Sequence, residues 1–86
     1  MKETWILGIN ITDRVKESGA VQAVLSKFGC SIRTRLGLNK SKAGSSHESG
    51  MILLELLGDP AEYQKLENEL LKIDGLEVKK MVFTQE

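Results

Sequence analysis

Two segments of this chain carry too much apolar surface to leave either side in water. Thr4-Trp-Ile-Leu-Gly-Ile-Asn-Ile-Thr12 opens as a continuous apolar run and then alternates, and Met51-Ile-Leu-Leu-Glu-Leu-Leu57 is interrupted only by Glu55. Both are short and rich in aliphatic or β-branched residues. Gly50 and Gly58 bound the second, so each reads as a strand buried on much of both faces. Strands of that kind belong in the middle of a sheet, and whatever surrounds them must supply its cover.

The rest of the chain supplies two helices and two milder strands. Val21, Val24, Leu25 and Phe28 fall at i, i+3, i+4, i+7, one face of a helix. Asp13 or Ser18 is available to cap it, and Gly29 is placed to end it in the left-handed conformation. Ser31-Ile-Arg-Thr-Arg-Leu-Gly-Leu38 alternates, which puts Ile32, Thr34, Leu36 and Leu38 on one face and Arg33 and Arg35 on the other. Residues 39–50 hold Ser, Gly, Lys and the only His, and read as a flexible surface loop. Gly58-Asp59-Pro60 is a helix start with Asp59 at the N-cap, and Tyr63, Leu66, Leu70 and Ile73 form its inward stripe. After Asp74-Gly75, Leu76–Thr84 is a last strand, with Leu76, Val78 and Val82 pointing one way and Met81 and Phe83 the other.

Strand, helix, strand, strand, helix, strand predicts an α+β fold of ferredoxin-like βαββαβ topology. Four antiparallel strands carry two helices on one face, with the first and third strands central. The 86 residues suffice for one such domain, 1–86. Arg33, Arg35, Lys79 and Lys80 then lie on edge strands, where charge discourages stray pairing.

Composition narrows the function. Twelve basic and twelve acidic side chains give zero net charge, so no global field draws the chain to nucleic acid or an anionic membrane. A single Cys makes no intrachain disulfide and points to a reducing, cytoplasmic setting. Met1-Lys2-Glu3 leads straight into a strand, so no secretory leader is expected, and no apolar run is long enough to span a bilayer.

Both central strands carry more apolar residues than two helices on one face can shelter. The surplus is expected at an oligomer interface drawn from Trp5, Leu7, Ile9, Met51, Leu53, Met81 and Phe83. The competing reading has the N-terminal and loop segments folding back over that face. Arg33 and Arg35 could bind a carboxylate or phosphate, or could protect the edge and pair with Glu55. Cys30 reads as a small buried side chain and His47 as a solvated one. Their use in an intersubunit metal site is the alternative.

The fold's other users leave signatures that are missing here. There is no pair of cysteines spaced by two, no aromatic residue on the third strand to stack a base, and no nucleophile–base set. Neither an enzyme nor a bound cofactor is expected.

Ile11-Thr-Asp-Arg14, Gly19-Ala-Val-Gln-Ala-Val-Leu25, Phe28-Gly-Cys-Ser-Ile32 and Gly75-Leu-Glu-Val78 together resemble ACT-type regulatory domains. Ile32-Arg-Thr-Arg-Leu-Gly-Leu38, the Met51-Ile-Leu-Leu strand and Ile73-Asp-Gly-Leu-Glu-Val-Lys-Lys80 look more narrowly like the iron-only hydrogenase system regulators. That resemblance covers nearly the whole chain outside the 39–50 loop. It implies regulation rather than catalysis, a homo-oligomer (dimer or tetramer), and a protein partner or a small-molecule effector such as an amino acid. The effector is expected near a subunit boundary, touching Asn10, Asp13, Arg14, Gly19, Arg33 and Arg35. The same family is similar to the C-terminal domain of nickel-responsive repressors, which binds nickel through three His and one Cys. This chain has one of each, so no metal site closes within one subunit.

Overall fold

The computed structural model describes residues 2–12, 18–39 and 50–85. The backbone runs β1 (Lys2–Ile11), α1 (Ser18–Lys27), a 3-10 turn (Gly29–Ser31), β2 (Ile32–Asn39), β3 (Gly50–Leu56), α2 (Pro60–Leu71) and β4 (Leu76–Gln85). The strands pair antiparallel in the order β2-β3-β1-β4, so the two most apolar strands are central, as their composition requires. This is the expected ferredoxin-like βαββαβ fold.

One parity of the central strands makes the core. Trp5, Leu7 and Ile9 of β1 and Ile52, Leu54 and Leu56 of β3 meet Val21, Leu25 and Phe28 of α1 and Tyr63, Leu66 and Leu70 of α2. All of these are buried. This corrects the expectation that Trp5, Leu7 and Ile9 serve an interface between subunits. They lie under the helices, and the outward parity of β1 is Thr4, Ile6, Gly8 and Asn10.

Trp5 is fixed on three sides. Its ring centroid lies 5.5 Å from that of Tyr63, and its indole N–H donates to Glu3 Oε1 at 3.0 Å. Lys80 Nζ sits 4.3 Å from the ring centroid while pairing with Glu67 at 3.1 Å. A lysine on the helix-facing side of an edge strand thus closes the core with its stem and one charge pair.

Helix α2 starts where its sequence says. Asp59 Oδ1 accepts from the Ala61 N–H at 2.9 Å, Pro60 fills the first position, and Glu62 puts a negative charge in the first turn. Gly75, with φ of 84°, turns the chain into β4 and favours glycine for that reason. Gly29 behaves otherwise. Among the described residues only Gly58 and Gly75 have positive φ, so α1 does not end in a left-handed glycine. It tightens into the 3-10 turn, where Ser31 N–H donates to Phe28 O at 2.9 Å.

The second strand holds the largest departure from a simple period of two. Ile32 pairs with Leu56 and Thr34 with the next residue, Glu55, so Arg33 is the extra residue of a β-bulge. Beyond it the faces exchange. Ile32 packs against the core, whereas Thr34, Leu36 and Leu38 share the side of Glu55, Leu53 and Met51. A strict alternation puts these four β2 residues on a single face, and the bulge divides them.

Candidate functional site

The side of the sheet away from the helices is the most unusual surface of the molecule. Register defines it row by row. Leu38, Met51, Asn10 and Glu77 form one row across the four strands; Leu36, Leu53, Gly8 and Lys79 form the next. Thr34, Glu55, Ile6 and Met81 follow, and Thr4 and Phe83 extend a fourth row. Leu36, Leu38, Met81 and Phe83 are all 44% exposed or more, and Ile6, Met51 and Leu53 are half-buried. Seven large apolar side chains on one sheet face form a patch of the kind that marks an interaction site.

These side chains cluster in opposite corners. Leu36, Leu38, Met51 and Leu53 fill one corner, and Ile6, Met81 and Phe83 fill the diagonal one. Gly8 lies between them, and a side chain there would contact Leu53 Cδ2, 3.7 Å from the position its Cβ would take. The remaining corners are polar. In one, Thr34 Oγ1 donates to Glu55 Oε1 at 2.8 Å; in the other, Asn10 Nδ2 donates to Glu77 Oε1 at 3.2 Å beside the exposed Lys79.

The bulge also separates the two arginines. Arg35 faces the helix side, where its guanidinium donates to Gln22 Oε1 of α1 at 2.8 Å. Arg33 instead lines a groove at the end of the sheet, with Lys2, Glu55, Leu57, Tyr63 and Phe83 among the other walls. The expected twin-arginine face is therefore absent. Arg33 alone meets the open face, through a groove that shares Thr4, Glu55 and Phe83 with it. The Tyr63 ring is fully buried while its hydroxyl reaches the groove, donating to Gly58 O at 3.1 Å or Glu3 O at 3.3 Å. Burial, reinforced by the nearby charges of Asp59 and Glu3, holds that hydroxyl above the ordinary tyrosine pKa.

The other expected site residues fall apart from this cluster. Asn10 lies on the open face at the far end, bonded to Glu77. Gly19 is exposed in the first turn of α1. Asp13, Arg14 and His47 lie outside the described residues, as does most of the 39–50 loop. Cys30 is exposed, contrary to the buried role expected for it, and lines a second groove with Lys27, Phe28, Glu62, Lys65 and Glu69 between the helices. Lys27 there pairs with Glu69 at 2.9 Å. Among the described residues no three His, Cys, Asp or Glu side chains are grouped to hold a metal ion. Nor is any described helix long and apolar enough to cross a membrane.

Sequence reasoning missed Leu36, Leu38 and Ile6 as members of the open face, and Lys2, Tyr63 and Gln85 as walls of the end groove. Ile6 was legible from the parity of the first strand. The two leucines were not, because nothing in a regular alternation announces an inserted residue.

No family model and no curated protein matches the sequence. Among solved structures the chain is similar to an uncharacterized protein from Thermotoga maritima, with 26% identity, coverage of 96% of this chain and 100% of that one, and a TM-score of 0.78. It is similar in fold to a nitrogen regulatory PII-like protein from Thiomonas intermedia K12 bound to ADP, AMP and bicarbonate. The identity is 10%, the coverage 99% and 97%, and the TM-score 0.52. A dimeric ferredoxin-like protein of unknown function from Thermobifida fusca matches at 9% identity, 96% and 91% coverage and a TM-score of 0.50. The last two likenesses establish the fold.

Proposed function

We propose that this chain is a small, non-catalytic regulatory module that senses a ligand and works as a homo-oligomer joined through the open face of its sheet. The observation that carries the reading is the seven-residue apolar face across all four strands. At about 25 cal/mol per Å² of apolar surface, covering even part of it contributes several kcal/mol, comparable with the net stability of so small a domain. The dimeric and PII-like regulatory neighbours in fold support the same reading. So does the resemblance to the iron-only hydrogenase system regulators, which makes regulation of such a system the finer form of the proposal.

The end groove gives the ligand a place. Arg33 and Lys2 offer two cations to a carboxylate or phosphate, with Glu3 and Glu55 in the same lining to receive an amine, beside the apolar walls of Leu57 and Phe83. Phe83 belongs to both groove and open face, so an anion seated there favours whichever subunit arrangement leaves that wall in place. Regulation is then a population shift driven by differential contacts at the boundary.

The test has two parts. Light scattering across micromolar concentrations reads assembly, and a monomer throughout sinks the oligomeric reading. Thermal-shift measurements with amino acids and small anionic metabolites read sensing. A stabilising compound should lose its effect in Arg33→Ala but keep it in Arg35→Ala.

A further inference from the structure

We propose that two copies meet face to face about a two-fold axis along the apolar diagonal of the sheet, so that Glu55 of each copy opposes Lys79 of the other. This rests on the reading that the open face is where copies join, and goes on to fix how they join.

The register limits the choice. A two-fold axis parallel to the strands would lay β2 on the partner's β4 and set Leu38 and Met51 against Asn10 and Glu77. An axis perpendicular to the strands would likewise oppose the Leu38–Met51 row to polar residues further down β2 and β3, including Glu55. Only the two diagonals bring apolar corners to apolar corners. Along the polar diagonal each Glu55 would face its own copy, a like-charge contact inside a patch being desolvated. Along the apolar diagonal the Leu36–Leu38–Met51–Leu53 corner meets its own copy, the Ile6–Met81–Phe83 corner does the same, and the polar corners exchange.

Elementary sheet dimensions show where the exchanged groups land. With strands about 4.8 Å apart and same-face residues about 6.8 Å apart along a strand, the apolar diagonal runs about 40° from the strands. Rotation about it carries Glu55 to within about 3 Å, in projection, of the partner's Lys79 position, and Thr34 to between Glu77 and Lys79. Strands of the two copies then cross at about 80°, close to the orthogonal class of sheet-on-sheet packing. Each face is about 19 Å wide and 27 Å long, and crossed at about 80° the two overlap over about 370 Å² in projection, so the pair covers about 750 Å² before side-chain relief is counted, which brings it toward the roughly 1,000 Å² where specific interfaces begin. Gly8, near the centre, permits the close approach that such stacking demands.

The experiment measures the dimer dissociation constant by sedimentation equilibrium for wild type, Glu55→Lys, Lys79→Glu and the double reversal. Circular dichroism confirms that each variant is folded. Each single reversal makes two repulsive contacts per dimer and should weaken association by about a hundredfold, and the double reversal should restore most of that loss. Glu55→Gln separates the two diagonals: it weakens the dimer about tenfold in the proposed geometry, but tightens it if Glu55 faces itself. A stable dimer whose double reversal shows no rescue, or which Glu55→Gln tightens, overturns this geometry while leaving assembly through the face intact. A wild-type chain that stays monomeric overturns both.

Discussion

Truncating Trp5 separates a core role from an interface role. The side chain is 6% exposed, packs on Tyr63, bonds Glu3 and lies under the Lys80 ammonium. Trp→Ala at a buried site costs about 3–5 kcal/mol from lost transfer energy and the cavity left behind. The cation–π contact with the partly exposed Lys80 adds about 0.5–1 kcal/mol. At roughly 0.05–0.15 kcal/mol per residue, the whole domain is worth about 4–13 kcal/mol, so Trp5→Ala removes about a quarter of it or more. Trp5→Phe keeps most of the ring contact and loses chiefly the indole N–H bond, about 1 kcal/mol. Urea titration followed by far-UV circular dichroism at two protein concentrations measures both, because any subunit coupling makes the midpoint concentration-dependent. Phe83→Ser on the open face is the control: at the lower concentration its midpoint should shift by less than about 0.5 kcal/mol equivalent. A Trp5→Ala chain that unfolds at the wild-type midpoint but changes its association would refute the assignment of this parity to the core.

Three further outcomes follow from particular contacts. Asp59→Ala removes the cap of α2 and should cost about 1 kcal/mol, a fall of about 4–8 °C in Tm by differential scanning calorimetry. Tyr63 holds its proton above its ordinary pKa of 10.0, so the unfolded chain ionises first. Its contribution is fully present below pH 10.0 and is lost as pH rises through the folded value, so wild type should lose more stability than Tyr63→Phe in thermal melts as pH is raised above 10.0. Lys80→Met keeps the apolar stem over Trp5 but ends the Glu67 pair. It should cost about 1 kcal/mol at low salt and less at high salt, read from urea midpoints at two ionic strengths.

The core was legible in the sequence because its parities are strong. The doubly apolar strands had to be central, the i, i+3, i+4, i+7 stripe of Val21 to Phe28 had to face them, and Asp59-Pro60 had to open a helix. The site was less legible, since both parities of β1 and β3 are apolar and composition does not say which one the helices cover. The buried set turned out to be Trp5, Leu7 and Ile9, which left Ile6 outside. Arg33 and Arg35 looked equivalent at a spacing of two. Their separation depends on backbone geometry at the strand's start, where Leu57 N–H donates to Ser31 O at 2.8 Å and holds that end close to β3.

That local event shapes the whole face. Without the extra residue at Arg33, a strict alternation holding Ile32 in the core would also turn Thr34, Leu36 and Leu38 toward the helices. Arg35 and Gly37 would then face the open side. With the bulge, one residue absorbs the mismatch and the two requirements are met separately: Ile32 stays against Leu56, and both leucines join Met51 and Leu53. The same insertion frees Arg33 from the ladder and leaves it in the groove beside Glu55 and Phe83. A bulge at a sheet edge also discourages stray strand pairing along the β2 rim. One inserted residue thus supplies an apolar corner of the open face, a cation at its border and an irregularity along the β2 rim.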